Sequence, residues 1–359
     1  CGAVFFVGYL FDGIRSNSGR GKHFSSVKTP QLLLLHFVTY SVLNLFTFLS
    51  SYDKIITYMF VNTFKLLIMK GSFCMPITEI LERNAREFGN DVALVEVNPE
   101  IRETRRVTWK EYELIEPNPV CHYRREITWS VFNEKANRFA NLLLSRGVKK
   151  GDKVGILLMN CLEWLPIYFG IIKTGALAVP LNFRYTPEEI KYCLDLAEVD
   201  ILVFGPEFIG RVEEIADEIS KNRLLFYVGE NCPSFAEHYD RLTANCASTT
   251  PYIELTDEDD AAIYFSSGTT GFPKAILHNH ESLMHAARVE QNHHGQTKED
   301  VFLCIPPLYH TGAKMHWFGS LISGGKAVLL KGVKPEFILD TVSREKCTIV
   351  WLLVPWAQD

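Results

Sequence analysis

The chain has 359 residues, of which 47% are hydrophobic and 22% charged, a composition typical of a globular protein with room for two or three domains. Its formal net charge is -5 and it has no sustained block of lysine and arginine, which argues against a nucleic-acid-binding protein. Nine cysteines stand singly with no Cys-x-x-Cys pair, which excludes a zinc ribbon and a disulfide framework and suits reduced thiols.

Composition changes sharply near residue 75. Residues 1–74 hold seven basic residues, two aspartates and no glutamate, a net charge of +5, so the remaining residues carry -10. Thr29 to Tyr52 is uncharged and long enough to cross a bilayer as a helix. Residues 1–74 are therefore either a membrane anchor through residues 29–52 or translated noncoding DNA ahead of a start at Met75. We favour the second interpretation, and with it a cytoplasmic protein.

From Met75 onward the predicted elements alternate between helix and strand. Met75 to Asn90 has the apolar spacing of a helix, and Val92 to Val97 follows as a strand. A helix ending near Gly147 comes next, and Thr186 opens a later helix with a capping-box pattern. Further predicted elements are the strands Val154–Met159, Ala176–Val179, Ile201–Phe204 and Leu225–Val228 and the helix Glu163–Lys173. This alternation predicts an α/β fold whose parallel sheets are flanked by helices, with more than one sheet.

One loop has the composition of a phosphate-binding site. It joins a predicted strand, Ala261–Phe265, to a second one, Ala275–Leu277. Four hydroxyls and an ammonium group can neutralise an anion, while two glycines let backbone amides approach it. These residues are Ser266, Ser267, Gly268, Thr269, Thr270, Gly271 and Lys274. The spacing differs from a Walker A loop, and a simple Ser/Thr/Gly turn between two strands is the alternative on composition alone.

A group of histidines follows this loop. They are His278, His280, His285, His293 and His294. The group lacks the His-Glu-x-x-His spacing and the paired carboxylate of a metalloenzyme motif. We therefore expect a polar, solvated helix here and assign no metal ligand.

Three segments in order resemble the adenylate-forming (AMP-binding) enzymes, in particular the acyl-CoA synthetases. Phe265 to Lys274 is similar to their signature Tyr/Phe-Thr-Ser-Gly-Thr-Thr-Gly-x-Pro-Lys, with Ser266 in place of threonine. Ile172 to Leu181 and Pro307 to His310 are similar to two further family segments. The resemblance implies that residues 75–359 are part of the family's large N-terminal domain, ending before the small C-terminal domain.

The resemblance also implies a two-step reaction. A carboxylate attacks the α-phosphate of Mg-ATP to form an acyl-adenylate, and the thiol of coenzyme A then displaces AMP. The loop residues Ser266 to Lys274 would hold the β- and γ-phosphates, and His310 would lie beside the carboxylate and the α-phosphate. Thr311, Gly312 and the helix from Lys314, which includes Trp317, would line the acyl pocket. Some long-chain members have a gating tryptophan where this chain has Lys314, so this position does not favour long-chain specificity.

The expected function is thus an acid–CoA ligase for a small-molecule carboxylic acid, with a fatty or otherwise aliphatic acid as the favoured class, and with ATP, Mg²⁺ and coenzyme A. The family's Mg²⁺, ribose and catalytic-lysine motifs have no counterpart up to residue 359, so we expect the activity in a longer parent protein and little or none in this chain. Two alternatives stay open at this point. One is an amino-acid or aryl-acid adenylation domain, and the other is a noncatalytic membrane-associated binding protein.

Overall fold

The computed structural model describes residues 75–99, 104–109, 112–117, 123–266 and 273–352, with backbone alone for 104–109 and 112–117. The doubtful segment 1–74, including the candidate anchor at residues 29–52, lies outside the described residues. Within the described ranges no helix is both long enough and apolar enough to span a membrane.

The strands and helices alternate along most of the chain. The strands are β1 Val92–Val97, β2 Thr104–Trp109, β3 Tyr112–Pro117, β4 Arg124–Thr128, β5 Lys153–Leu157, β6 Leu177–Pro180, β7 Ile201–Phe204, β8 Leu224–Tyr227, β9 Glu237–His238, β10 Asp260–Ser266, β11 Lys274–Asn279, β12 Val301–Cys304, β13 Lys326–Leu330 and β14 Ile349–Val350. The helices are α1 Ile77–Glu87, α2 Trp129–Ser145, α3 Trp164–Ile172, α4 Pro187–Leu196, α5 Ile209–Ile219, α6 Tyr239–Ala244, α7 His280–His294, α8 Thr311–Ser323 and α9 Pro335–Glu345.

Two large, mainly parallel sheets organise the described residues. The first has the strand order β14-β12-β13-β1-β4, and the second has the order β11-β10-β6-β5-β7-β8-β9. In each sheet one edge strand runs antiparallel to its neighbour, β4 beside β1 and β11 beside β10. The strands β2 and β3 form a separate hairpin.

A shared hydrophobic core lies between the two sheets. It contains Leu94 and Leu329 from the first sheet together with Ile156 and Val203 from the second, so one face of each sheet packs on the same helical layer. All nine residues of α3 are buried in this layer. A helix that is apolar on every side is stable only when protein surrounds it, which explains its place between the sheets.

Two smaller cores cover the outer faces. Helices α4 and α5 pack on the outer side of the second sheet, and α9 packs on the outer side of the first. The result is a layered arrangement of helix, sheet, helix, sheet and helix, in which both large sheets are covered on both faces, as parallel sheets generally are.

Most of the predicted elements are confirmed. The strands Val92–Val97 and Ile201–Phe204 have the predicted bounds. The capping box at Thr186 forms as expected, since its hydroxyl accepts from the Glu189 amide and the Glu189 carboxylate accepts from the Thr186 amide. The predicted α/β fold with parallel sheets flanked by helices is correct.

One element was not predicted, and one local prediction needs correction. The strands β2 and β3 form a hairpin that the sequence did not predict. Helix α7 is amphipathic, because His280, Leu283, Met284 and Ala287 are buried. The predicted polar, solvated helix is therefore solvated on one face only, and its one buried histidine, His280, is enclosed at the start of the helix with no hydrogen bond to either ring nitrogen within the described residues.

The enclosed imidazole predicts a loss of stability in acid. Burial lowers the pKa of His280 to about 4, whereas the unfolded chain takes up this proton near pH 6.5. A lowered histidine pKa means that stability is lost as pH falls below 6.5, by roughly 2–3 kcal/mol at pH 4.5. We expect His280→Leu to remove that part of the acid sensitivity in urea unfolding measured at pH 7 and pH 4.5.

The control for this experiment is His285→Gln on the exposed side of the same helix. It should leave the pH dependence of the unfolding free energy unchanged. Equal acid sensitivity of the wild type and His280→Leu would show that protonation of the buried His280 ring does not cause the loss of stability in acid.

Candidate active site

The β10–β11 hairpin carries the predicted phosphate-binding loop. Ser266 at the end of β10 lies opposite Lys274 at the start of β11 in the antiparallel register. Lys274 is exposed and Ser266 is half-buried. The other predicted loop residues, Ser267, Gly268, Thr269, Thr270 and Gly271, lie outside the described residues, so their role stays a prediction.

The hairpin places both ends of this loop at the carboxyl edge of the second sheet. Strand β10 runs parallel to β6, with Ala262 opposite Ala178. In sheets of this type ligands bind beyond the carboxyl ends of the strands, where several loops meet. The position of the loop in the fold thus suits a ligand-binding role.

His310 comes from the other sheet. It follows β12 and stands immediately before α8. The ring of its neighbour Tyr309 contacts the Phe183 ring edge to face, with centroids 5.3 Å apart. Phe183 follows β6 and packs in the same cluster as Phe265 of β10. The segment that contains His310 therefore meets the carboxyl edge where the predicted loop begins.

Asn160 joins the two sheets at this edge. Its side-chain amide donates to the Pro306 carbonyl at 3.0 Å, and its side-chain carbonyl accepts from the Leu308 amide at 2.9 Å. Both hydrogen bonds are buried. They hold the turn that leads into His310, so Asn160 positions this histidine from the segment after β5.

The His310 imidazole has the properties of a neutral hydrogen-bonding group. Part of the side chain is exposed, and the protein that covers the rest lowers its pKa below the ordinary value. At neutral pH the ring is uncharged, so it can donate from one nitrogen and accept at the other. Thr311 and Gly312, the next two predicted site residues, are half-buried in the first turn of α8.

Lys314 has unusual surroundings for a lysine. Its ammonium nitrogen lies over the rings of Tyr264, Tyr168 and Trp164, at 3.8, 4.2 and 5.2 Å from their centroids. The side chain is fully buried and its nitrogen has no hydrogen-bond partner in the described part of the chain. Burial lowers the pKa of Lys314 well below its ordinary value. The electron-rich ring faces attract a cation and offset part of this effect.

Trp317 packs in the same helical layer. Its ring contacts Phe132 and Phe169, with centroids 6.0 and 5.8 Å away. Trp317 and Lys314 are thus both parts of the core between the sheets, and the lining of an acyl pocket by either remains a prediction. The structure brings His310, Thr311 and Gly312 together at the start of α8, in the segment that Asn160 holds.

Asn160 was missed in the sequence because nothing distinguishes it there from a surface asparagine. Its only signal is its place directly after a buried strand, where a polar side chain reaches the carboxyl edge of a parallel sheet. Its partners lie 146 and 148 residues further along the chain. The contact could be found only once the two sheets were placed together.

Residues 81–358 match the family described as AMP-binding enzyme, and the chain therefore belongs to that family. Among curated relatives, crotonobetaine/carnitine–CoA ligase from Salmonella paratyphi C is 32% identical over 222 residues, which cover 60% of this chain and 43% of the relative. The same enzyme from Salmonella typhimurium is also 32% identical over the same shares. The matched segment spans less than half the length of these relatives.

Solved structures agree with this assignment. The anthranilate CoA ligase AuaEII in complex with anthranoyl-AMP has a TM-score of 0.66 and 27% identity, with 77% of this chain and 49% of that chain covered. A long-chain-fatty-acid-CoA ligase from Archaeoglobus fulgidus also has a TM-score of 0.66, at 18% identity, with 80% and 53% covered. The second likeness is one of fold alone. The predicted AMP-binding family is confirmed, and these relatives and structural neighbours are CoA ligases.

The Asn160 bridge predicts a specific defect. Asn160→Ala leaves a buried carbonyl and a buried amide without partners, so we expect it to lower the free energy of unfolding by about 2 kcal/mol. Asn141→Ala is a matched control, because the half-buried Asn141 also donates to two backbone carbonyls, at 2.8 and 2.9 Å, but these hydrogen bonds are exposed to solvent. Urea unfolding of both variants measures the difference, and equal losses would contradict a special role for the buried bridge.

The buried amine of Lys314 makes a second prediction. With a lowered pKa in the folded state, folding must release the proton that the unfolded chain holds up to about pH 10.4. Stability therefore rises with pH between 7 and 9.5 in the wild type. The facing phenol of Tyr168 has a raised pKa and stays neutral in this window.

We expect Lys314→Met to be more stable than wild type by roughly 1–3 kcal/mol at pH 7, because a buried polar group without a hydrogen bond is removed. The gain should shrink toward pH 9.5. Thermal unfolding across this pH range tests it, with the exposed Lys221→Met as control. The prediction is wrong if Lys314→Met is less stable than the wild type at pH 7 and its stability changes with pH as the wild type's does. The buried amine would then stabilise the folded state.

Proposed function

We propose that the protein containing this chain is an AMP-forming acid–CoA ligase. The observation that carries the proposal is the meeting of two segments at one edge of the fold, the β10–β11 hairpin and the turn that Asn160 holds before His310. Membership of the AMP-binding family and the likeness to CoA ligases support this reaction class.

In the proposed first step a carboxylate attacks the α-phosphate of ATP, and pyrophosphate leaves. The main barrier is repulsion between two anions, together with the alignment of attacker and leaving group. Lys274 would act as a positive charge on the β- and γ-phosphates, assisted by the hydroxyls of Ser266, Ser267, Thr269 and Thr270. Gly268 and Gly271 would let backbone amides of the loop approach the phosphate oxygens.

His310 would orient the carboxylate and not neutralise it. Its lowered pKa keeps the imidazole uncharged at neutral pH. A neutral ring can donate one hydrogen bond to a carboxylate or phosphate oxygen without withdrawing a proton from the reaction. Thr311 and Gly312 follow directly and would face the acyl group, with Lys314 and Trp317 behind them in the core.

In the proposed second step the thiol of coenzyme A attacks the acyl carbon and AMP leaves. The curated relatives that match this chain have more than half of their length outside the matched segment. We therefore assign both steps to the whole protein that contains this chain, and not to the matched segment alone. An aliphatic acid is the substrate class we propose.

The residues assigned to the loop suit a phosphate better than a metal ion. Hydroxyls, backbone amides and an ammonium group donate to anionic oxygens, whereas Mg²⁺ takes carboxylates, carbonyls and water. No carboxylate belongs to this set, so it does not account for a Mg²⁺ site.

The experiment is ATP–pyrophosphate exchange by the full-length natural protein with a panel of aliphatic, aryl and amino acids. Exchange that depends on an aliphatic acid, followed by thioester formation when coenzyme A is added, is the expected result. Exchange with amino acids alone would replace the CoA ligase with an amino-acid adenylation enzyme. No exchange with any acid would contradict the proposal.

The same assay tests the phosphate-binding residue. Lys274→Ala should lower the exchange rate roughly 100-fold, as expected when a charge that stabilises a transition state is removed. Lys221→Ala removes another exposed lysine, in the turn before β8, and should leave the rate unchanged. Equal rates in Lys274→Ala and wild type would remove Lys274 from the site.

A further inference from the structure

Three potential metal ligands from two neighbouring helices converge on one point. Glu290 and His294 lie one turn apart on α7, and His316 lies on α8. The His294 Nε2 atom is 3.0 Å from Glu290 Oε2, and His316 Nε2 is 3.3 Å from the same oxygen. The ligand atoms of all three side chains lie within 4.8 Å of one another.

These separations suit a single tetrahedral ion. With zinc bonds of 2.0–2.1 Å to nitrogen and oxygen, two ligand atoms of a tetrahedral site are roughly 3.3 Å apart. The two distances to Glu290 are close to this value, and small rotations of the side chains that bring the two imidazole nitrogens to the same separation would complete the site. Three protein ligands leave the fourth position for water.

The tautomer of His316 is the one that metal binding requires. Its Nδ1 atom lies 2.8 Å from the Gly312 carbonyl, which can only accept, so Nδ1 carries the hydrogen and donates it. In the neutral ring Nε2 then holds a lone pair, and this is the atom directed at Glu290. A histidine ligand typically has its other nitrogen hydrogen-bonded to a backbone carbonyl in this way.

The surroundings also favour an ion. The His316 side chain is 5% exposed and packs against the rings of Phe302 and Trp351, which limit its movement. Glu290 is 27% exposed and leaves the cluster open to solvent on one side. A lone pair on Nε2 facing a carboxylate oxygen is repulsive unless a proton or a cation lies between them. A divalent cation satisfies both imidazoles and the carboxylate at once.

We propose that Glu290, His294 and His316 form a binding site for a divalent cation of the zinc class. Two imidazole nitrogens and one carboxylate oxygen are ligands that Zn²⁺ accepts readily and that Mg²⁺ and Ca²⁺ do not favour. The site ties α7 to α8, the helix that begins directly after His310. This inference does not depend on the proposed ligase activity. It also revises the expectation drawn from the sequence, where neither Glu290 nor His316 stood out.

The test is direct metal binding by tag-free protein after removal of metals with a chelator. Titration with Zn²⁺ followed by elemental analysis should show one tightly held ion per chain, and Co²⁺ in its place should give the absorption of a tetrahedral complex. His316→Ala should weaken Zn²⁺ binding at least about 100-fold, beyond the loss typical of a residue that only supports a ligand. The Zn²⁺-dependent rise in thermal midpoint should disappear in the same variant.

Glu290→Gln gives a second, less disruptive test, since it keeps the shape of the half-exposed side chain and removes its charge. It should fold as wild type by circular dichroism and still lose most of the affinity for Zn²⁺. His285→Ala and His293→Ala are matched controls at exposed positions of the same helix and should bind as wild type does. Failure of the wild type to retain an ion, or equal retention by Glu290→Gln and wild type, would overturn the proposal.

Discussion

The fold depends on burying an entire helical layer between two sheets. Helix α3 has no polar face, and all nine of its residues are buried. Its aromatic side chains pack edge to face against rings from α2 and α8, for example Phe169 against Phe132 and Trp317. Because this layer has to be covered on both sides, the two sheets are held face to face. The carboxyl ends of strands from different sheets then come together where Asn160 bridges them.

This constraint explains why the candidate site is assembled from distant parts of the sequence. The hairpin β10–β11 belongs to one sheet, and the turn before His310 belongs to the other. The Tyr309–Phe183 contact and the two hydrogen bonds of Asn160 join them. Substitutions in the helical layer should therefore affect the site through the relative position of the sheets, without contacting any ligand.

Much of the fold could be predicted because its strands are continuous apolar runs. Val92–Val97 and Ile201–Phe204 are rich in β-branched and apolar residues with clear turn signals at their ends, and their predicted bounds were correct. The β2–β3 hairpin was missed because its strands, such as Thr104–Trp109, are polar and short of apolar alternation. The error at α7 had a similar cause, since its polar composition masked a buried stripe that begins at His280.

The candidate site was predicted only where the signal is local. The loop from Ser266 to Lys274 is a contiguous motif, and Pro307 to His310 is a second one, so both could be found from the sequence. Asn160 depends on partners 146 and 148 residues further along the chain. The Glu290–His294–His316 cluster depends on the packing of α8 against α7, which the spacing of residues within either helix does not reveal. The surroundings of Lys314 likewise come from α3 and β10 and could not be read from α8 alone.

The central claim is that the loop between Ser266 and Lys274 and the segment at His310 surround one site. A crystal structure of the protein with a nonhydrolysable acyl-sulfamate analogue of an acyl-adenylate tests it most directly. The account predicts that the His310 ring lies within hydrogen-bonding distance, about 3 Å, of the sulfamate or the acyl carbonyl, with the loop beside the same group. An analogue bound away from both segments, with His310 facing only solvent or protein, would contradict the account.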